Sequence, residues 1–402
     1  MWYAWCSTWN GLLVDQAELM KTTKKKTKKK VAKKAGIKTA AHAAAYARQK
    51  ARMAERTRIE AAAGREIGPI PPVLRPIVRA RARANFRYFC EKYFPQTFSI
   101  AWSPDHLKII AKIEKAVLGG GLFAMAMPRG SGKTSLCEIA CIWAILYGHC
   151  SFVALIGADE SHAANMLDSI KSELENNELL LGDFPEAVFP IHTLDGIHQR
   201  AGGQTHNGVL TDMEWTIRKI VLPTIPGSKA SGSVIKVSGI TGSIRGMKHK
   251  RADGTSIRPS LVLIDDPQTD ESAKSQVQCA YREKVLAGAI LGLAGPKQKI
   301  SGLMAVTVIH PDDMADCILD RTKHPQWQGE RTKMVYNFPN NAALWSKYAE
   351  IRDEGLRAEQ GLKPATMFYK KNRKVMDEGA VVNRHNHPHE QSGLQLEGRM
   401  EL

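Results

Sequence analysis

No stretch of this chain approaches the ~18 consecutive apolar residues that a membrane-spanning helix needs, so the sequence offers no candidate span. The opening segment lacks a basic start ahead of its apolar part, which argues against a secretion signal and for a cytoplasmic protein. Cysteine is scarce. The seven present are an odd count with no paired metal-type spacing, as suits a reducing compartment. Cys137 and Cys141, four apart on an expected helix, read as small core residues. Acid is short as well: 40 Asp and Glu stand against 57 Lys and Arg, leaving a net charge of +17. That excess is large for a metabolic enzyme and suits a polyanionic partner or an anionic membrane surface. There is no internal repeat, and no helix-turn-helix or zinc pattern that would read bases. What remains is a 402-residue chain, 43% hydrophobic, long enough for one large domain or two ordinary ones.

Three segments follow from composition. Residues 1–20 hold three Trp and one Cys within the first nine positions, and Met20, directly before a lysine block, is an alternative start. Lys21 to Lys38 is a lysine-rich, low-complexity arm that cannot bury a core. The Ala-rich stretch from Ala40 to Ala63, with Arg48, Lys50, Arg52 and Arg56, favours helix. Gly68-Pro69-Ile70-Pro71-Pro72 reads as a stiff linker. The expected division is therefore a basic arm and linker over 1–75, a folded domain over 76–340 and a helical, polar tail over 341–402. The domain opens on a basic amphipathic helix running through Arg79, Arg81, Arg83 and Arg87 to Tyr93. Beyond it, apolar strands (Phe152–Ile156, Ile220–Leu222, Val234–Val237, Leu261–Ile264, Ile300–Ile309) alternate with helices such as Ala163–Glu175. Near-continuous apolar strands between helices predict an α/β fold, a mostly parallel sheet covered on both faces.

The most specific local pattern is Pro128-Arg129-Gly130-Ser131-Gly132-Lys133-Thr134-Ser135, between an apolar run (Leu122–Met127) and a helical one (Leu136–Tyr147). A strand, a glycine loop and a helix opening on Lys-Thr make a phosphate cradle. Backbone N–H groups wrap the β-phosphate, and the helix N-terminus adds its positive dipole end. Lys133 would reach the β- and γ-phosphates, and the Thr134 hydroxyl would ligate Mg²⁺. The full pattern begins with Gly, where this chain has Met127. A second signal is Ser260-Leu261-Val262-Leu263-Ile264-Asp265-Asp266-Pro267. It is a buried strand that presents carboxylates at the sheet's carboxyl edge, where open α/β folds bind ligands. With the glycine loop upstream, Asp265 is expected on Mg²⁺. Asp266 is expected either to orient the attacking water or to cap the helix after Pro267.

In order and spacing these pieces resemble the ATPase part of phage terminase large subunits, the motors that package DNA into capsids. The resemblance covers roughly Phe86 to Gly379. It rests on the glycine loop with its internal Arg129, Glu175-Asn176-Asn177 with Asp183-Phe184-Pro185-Glu186, and Ser243-Ile244-Arg245-Gly246. Arg258-Pro259, Asp265 to Thr269, and Ala305-Val306-Thr307-Val308-Ile309 complete it. It implies a P-loop NTPase fold of the RecA/ASCE type, with ATP and Mg²⁺ as cofactors. It also implies a ring of identical subunits on double-stranded DNA, with a portal protein and a small terminase subunit as partners, at the procapsid in the host cytoplasm. By the same resemblance Arg129 would sense or stabilise the γ-phosphate, its alternative being a solvated arginine paired with a nearby acid. Thr307 would couple hydrolysis to movement, or be an ordinary polar residue at a strand end. Arg245 would act on a neighbour's nucleotide, or form a structural ion pair. The family's adenine-contacting segment falls near Trp102-Ser103-Pro104-Asp105-His106, which lacks the usual Gln.

Complete members carry a second, nuclease domain of about 100–150 residues. Here the expected last strand, near Met334–Phe338, is followed by two helices (Tyr348–Arg357, Thr366–Asp377) and a polar end from Asn383. No strand there bears a spaced acidic triad. The expectation is a motor without the cutter. His385-Asn386-His387-Pro388-His389 reads as a solvated tail in preference to a metal site. The lysine arm has two readings, salt-sensitive DNA binding through its phosphates or added solubility. Two other functions stay open, a helicase-like nucleic-acid-stimulated ATPase and a catalytically silent DNA-binding or assembly factor.

Overall fold

The computed structural model describes residues 44–59 and 65–382, apart from 243, 296–297 and 334. The Trp-rich start, the Lys21–Lys38 arm and the histidines at 385–389 lie outside the described residues. The chain divides into two units between Ala63 and Gly64. Of the first, one helix is described, α1 (residues 44–59), within the expected Ala-rich stretch and exposed on nearly every side.

The second unit is built on an eight-stranded sheet. In chain order its strands are β1 (Leu122–Ala126), β2 (Phe152–Gly157), β3 (Glu214–Trp215), β4 (Lys219–Val221), β5 (Val234–Gly239), β6 (Leu261–Asp265), β7 (Ser301–Val306) and β8 (Glu330–Arg331). Across the sheet they run β8-β1-β7-β6-β2-β5-β4-β3. The six from β8 to β5 are mutually parallel, and β4 and β3 close one edge antiparallel. The expected mostly parallel α/β sheet is therefore present.

Side-chain alternation along these strands splits the interior in two. Phe123, Met125, Val153, Leu155, Leu261, Leu263, Leu303 and Ala305 face one core. Ala124, Ala126, Ala154, Ile156, Val262, Ile264, Met304 and Val306 face the other. Seven helices cover the first face: α2 (Pro76–Ala82), α3 (Phe86–Tyr93), α4 (Pro104–Gly119), α5 (Lys133–Leu146), α6 (Glu160–Asn176), α7 (Glu178–Asp183) and α8 (Pro185–His192). Ile240, Ile244 and Met247 cover the second face, together with the helices that follow β6 and β7. These are α10 (Gln276–Val285), which the short α9 (Asp270–Ala273) precedes, and α11 (Met314–Leu319). A third, small core unites Val335, Trp345, Tyr348, Ala365, Tyr369 and Met376 beneath the paired helices α12 (Ala342–Arg357) and α13 (Lys363–Met376).

Two elements differ from the sequence expectation. The basic helix to Tyr93 is two helices, because the Asn85 side chain accepts the Tyr88 N–H and starts a new one. Residues near Met334–Phe338 do not extend the main sheet. The edge strand is instead β8, and pairing with β1 ends where Thr332 donates both its N–H and its hydroxyl to Ala126 O. Val335–Asn337 then pairs antiparallel with Val381–Val382. The expected linker is also tied down: Leu74 N–H bonds Gly182 O at 2.8 Å, and the Arg75 N–H bonds the buried Asp183 carboxylate at 2.9 Å.

Candidate active site at the sheet's carboxyl edge

β1 runs directly into the glycine loop. Gly130 and Gly132 adopt φ of 76° and 74°, a region that residues with a Cβ rarely enter, so the loop's path depends on glycine at both positions. Ser131 closes the turn, its hydroxyl bonding Pro128 O at 2.7 Å. From below, the buried His106 donates Nε2–H to Ser131 O at 3.0 Å, while its Nδ1 accepts the Ser103 hydroxyl at 2.7 Å. Gly132 is the N-cap of α5, and Leu136 N–H to Gly132 O (3.0 Å) starts the helix. The N–H groups of the first turn have no partner within the helix and face the loop.

One strand, β7, stands between the loop strand β1 and the acid-bearing strand β6. The loop and the acids are thus about 9.6 Å apart at their strands, two strand spacings. Side chains close that gap. Asp265 ends β6 at an odd position of its alternation, so it faces α5 and α6, and it is 1% exposed. Its Oδ2 accepts the Thr134 hydroxyl at 2.7 Å, across 131 positions of sequence. Next to it, Asp266 Oδ2 lies 2.6 Å from Lys133 Nζ. Thr307, just past β7, accepts a hydrogen bond from Lys133 Nζ and donates to Asp266 Oδ2 at 3.4 Å. Lys133, Thr134, Asp265, Asp266 and Thr307 therefore form one cluster. Burial raises the Asp265 carboxyl above the usual range, the Thr134 bond works against that, and the Asp266 charge adds to it.

Two features mark this cluster as more than a packed ion pair. Asp265 Oδ1 and Asp266 Oδ1 are buried without a hydrogen-bond partner among the described residues. Such orphaned carboxylate oxygens call for a cation or a donor. Asp266 also holds φ at 36°, an unfavourable backbone for a non-glycine residue and of a kind that clusters at active sites. It is not a helix cap, the role left open for it above. Thr269 caps α9, accepting the Ser272 N–H while Ser272 Oγ accepts the Thr269 N–H.

The remaining sequence candidates lie outside this cluster. Arg129 is exposed and reaches Asp270 Oδ1 at 3.4 Å, the solvated pairing expected as its alternative. Arg245 is exposed, its guanidinium beside Gly288, and no bond of the cluster involves it. Trp102 and His106, in the segment where the resemblance places adenine contacts, line a cavity of about 130 Å³ with Phe98, Leu136 and the loop residues Gly130 and Ser131.

The structure adds residues that sequence reasoning missed. His162 Nε2, in the first turn of α6, lies 3.6 Å from Asp265 Oδ2. Its position just past β2, the strand beside β6, was the available signal. Gln268 and Asp313, both buried, lock the loop after β6 to the loop after β7. Gln268 Nε2 donates to Thr307 O (3.0 Å) and Asp313 Oδ2 (2.7 Å), and Asp313 accepts the N–H groups of Ile309, His310 and Asp316. The loops carrying Asp266 and Thr307 are thus hydrogen-bonded to one another through a buried amide.

Glu138 is the single charged residue between Leu136 and Leu146 on α5, one turn beyond Thr134. Burial pushes its carboxyl up to about 7 from an ordinary 4.5, with Ser169 on α6 pulling back and Asp265 and Glu173 adding to the rise. Between about pH 4.5 and 7 the folded state holds a proton that the unfolded chain has released, so this site's stability is lost as pH rises through that window. Glu138→Gln should leave the melting temperature almost unchanged at pH 5 and raise it at pH 8, by on the order of 2 kcal/mol of stability. Thermal melts of both proteins across that range provide the check. Compared with protein-family models and with curated proteins, the chain matches none.

Proposed function

We propose that the chain is an ATP-hydrolysing motor that moves double-stranded DNA, the ATPase part of a terminase-like packaging machine with a P-loop fold of the RecA/ASCE type. The observation that carries this reading is the meeting of Lys133, Thr134, Asp265 and Asp266 around two orphaned carboxylate oxygens. The glycine loop and the acids stand on strands separated by one, and the side chains that now bridge them, Lys133 and Thr134, are the ones that would turn to phosphate and metal. The donor set fits Mg²⁺, which binds through one or two carboxylates and substrate phosphates and needs no all-protein cage. Thr134 and Asp265 would hold it. When bound, that ion would offset charge developing on the β- and γ-phosphate oxygens.

In this reading the α5 amides and Lys133 bind the phosphates. Lys133 exchanges its contact with Asp266 for phosphate oxygens, which frees that carboxylate to orient a water in line with the γ-phosphorus. A bond then forms from the water oxygen to phosphorus as the bridging bond to the β-phosphate breaks, and the water's proton passes toward Asp266. Thr307, touching both Lys133 and Asp266, registers the change. The Gln268–Asp313 brace carries it to α11. The base would rest in the Phe98–Trp102 cavity by stacking. Ring assembly, a trans-acting Arg245, Arg129 at the γ-phosphate, portal and small-subunit partners and a place at the procapsid in the host cytoplasm belong to the same proposal. Among the described residues no helix is long and apolar enough to cross a membrane.

The test is ATP turnover by the full chain with and without double-stranded DNA. Turnover stimulated several-fold by DNA is expected. Duplex unwinding without any capsid component would favour the helicase-like alternative, and DNA binding with no turnover would favour the silent factor.

A further inference from the structure

We infer that the β-ribbon formed by residues 248–258 is a contact surface for the phosphate backbone of duplex DNA. This rests on the motor reading and adds the element that grips. The connection from β5 to β6 passes β2 with no helix among its described residues and folds into a two-stranded ribbon instead, pairing His249 with Ile257 and Lys250 with Ser256. Strand alternation sorts its side chains. Lys248, Lys250, Ser256 and Arg258 are exposed, while His249, Arg251 and Ile257 are half-buried. The same register carried one step further sets Lys248 opposite Arg258.

Like charges directly opposite on a ribbon destabilise it. Among the described residues no carboxylate stands within ion-pairing distance of Lys248, Lys250 or Arg258. Lys219, whose charge reaches His249, is paired with Glu214, and its chain neighbour Arg218 with Glu160. The ribbon's one acid, Asp253, is taken up by its own turn, accepting the Thr255 N–H at 2.8 Å and the Thr255 hydroxyl at 2.6 Å. An outward row of unpaired cations, with Lys248 and Lys250 about 6.8 Å apart, is relieved by a polyanion whose charges are as closely spaced. A narrow two-stranded ribbon is also a shape that fits against a duplex. The ribbon has a mechanical consequence too. Arg258 and Pro259 lead straight into β6, whose far end carries Asp265 and Asp266, so a load on the ribbon acts on the strand that holds the site's acids.

The experiment uses the full chain with all three cations replaced, Lys248→Ala, Lys250→Ala and Arg258→Ala. Binding of a fluorescent DNA duplex is followed by anisotropy across salt, without nucleotide. Three lost phosphate contacts should lower the slope of log affinity against log salt by roughly 2.7 and weaken binding at least about tenfold at low salt. A variant with Lys370→Ala, Lys371→Ala and Lys374→Ala removes the same charge from the exposed face of α13, and should keep nearly the parental slope. Equal losses in both variants, or an unchanged slope in a ribbon variant with the parental melting temperature, would overturn the assignment. ATP turnover of the parent chain is measured separately, with and without DNA. If it is absent in both while the ribbon result holds, the motor reading fails and the DNA surface stands.

Discussion

Lys133→Ala is expected to reduce ATP turnover by about 10²–10³-fold or more while the circular dichroism spectrum and the cooperative melt are retained. The lysine is 9% exposed at the mouth of α5, and its ammonium touches both Asp266 and Thr307. As the bond to the γ-phosphorus forms, charge shifts onto oxygens that water would otherwise solvate. A fixed ammonium in a half-buried site does this with little reorganisation, which is why its removal falls mainly on the rate. The fold should tolerate the change, because the loop's own geometry does not pass through this side chain. Gly130, Gly132, the Ser131–Pro128 turn and the His106 prop remain. Asp266 loses its ion pair but keeps about a third of its side chain in water, so it is not a fully buried orphan charge. Turnover within a few-fold of the parent would remove Lys133 from the chemistry and with it the phosphate-cradle reading. A melt that lost cooperativity would mean that the pair with Asp266 is structural.

The parts of this protein legible in its sequence are those that depend on local pattern. Leu122–Met127, Phe152–Ile156 and Leu261–Ile264 are nearly continuous apolar runs, and they became β1, β2 and β6, buried on both faces, because only a covered parallel sheet accommodates such runs. The glycine loop was legible because positive φ at Gly130 and Gly132 has few sequence substitutes. Thr134 and Asp265 could be named separately from their neighbours. Expected at one Mg²⁺, they do meet in the structure, and what sequence reasoning did not supply was the set of residues around them. Whether β6 lies two strands from β1 is a property of the whole sheet, and so is the closeness of His162 to Asp265. Gln268 looks like an ordinary loop residue, and Asp313 like an acid at the start of a helix, until the ends of β6 and β7 come together. Glu138 sits in the helical run of α5 with nothing in its spacing to mark a carboxyl near neutrality, since burial by α6 makes it so. The displaced strand at Val335 failed for a related reason. A short apolar stretch says that a strand forms, and the competing partner decides to which sheet it belongs.

Asp266→Asn separates chemistry from binding more cleanly than the lysine change. Asparagine matches the volume of aspartate and is among the few residues that tolerate the left-handed region, so φ near 36° is kept without new strain. What disappears is the carboxylate that would orient water and receive its proton. General-base contributions run to about 10²–10⁴-fold, and single-turnover hydrolysis should slow by that order. Nucleotide affinity should hold within a few-fold or tighten, since Lys133, now free of its carboxylate, is fully available to phosphate. Asp266→Ala is the complementary variant. It loses the same base but places a Cβ residue without side-chain compensation at positive φ, so it should also melt lower, by roughly 1–2 kcal/mol of stability. The pair of variants therefore distinguishes a water-orienting carboxylate from one retained for its backbone shape. Equal melting of the two with near-parental hydrolysis in Asp266→Asn would assign Asp266 a purely conformational role and move the search for the base to His162, whose Nε2 lies 3.6 Å from Asp265 Oδ2.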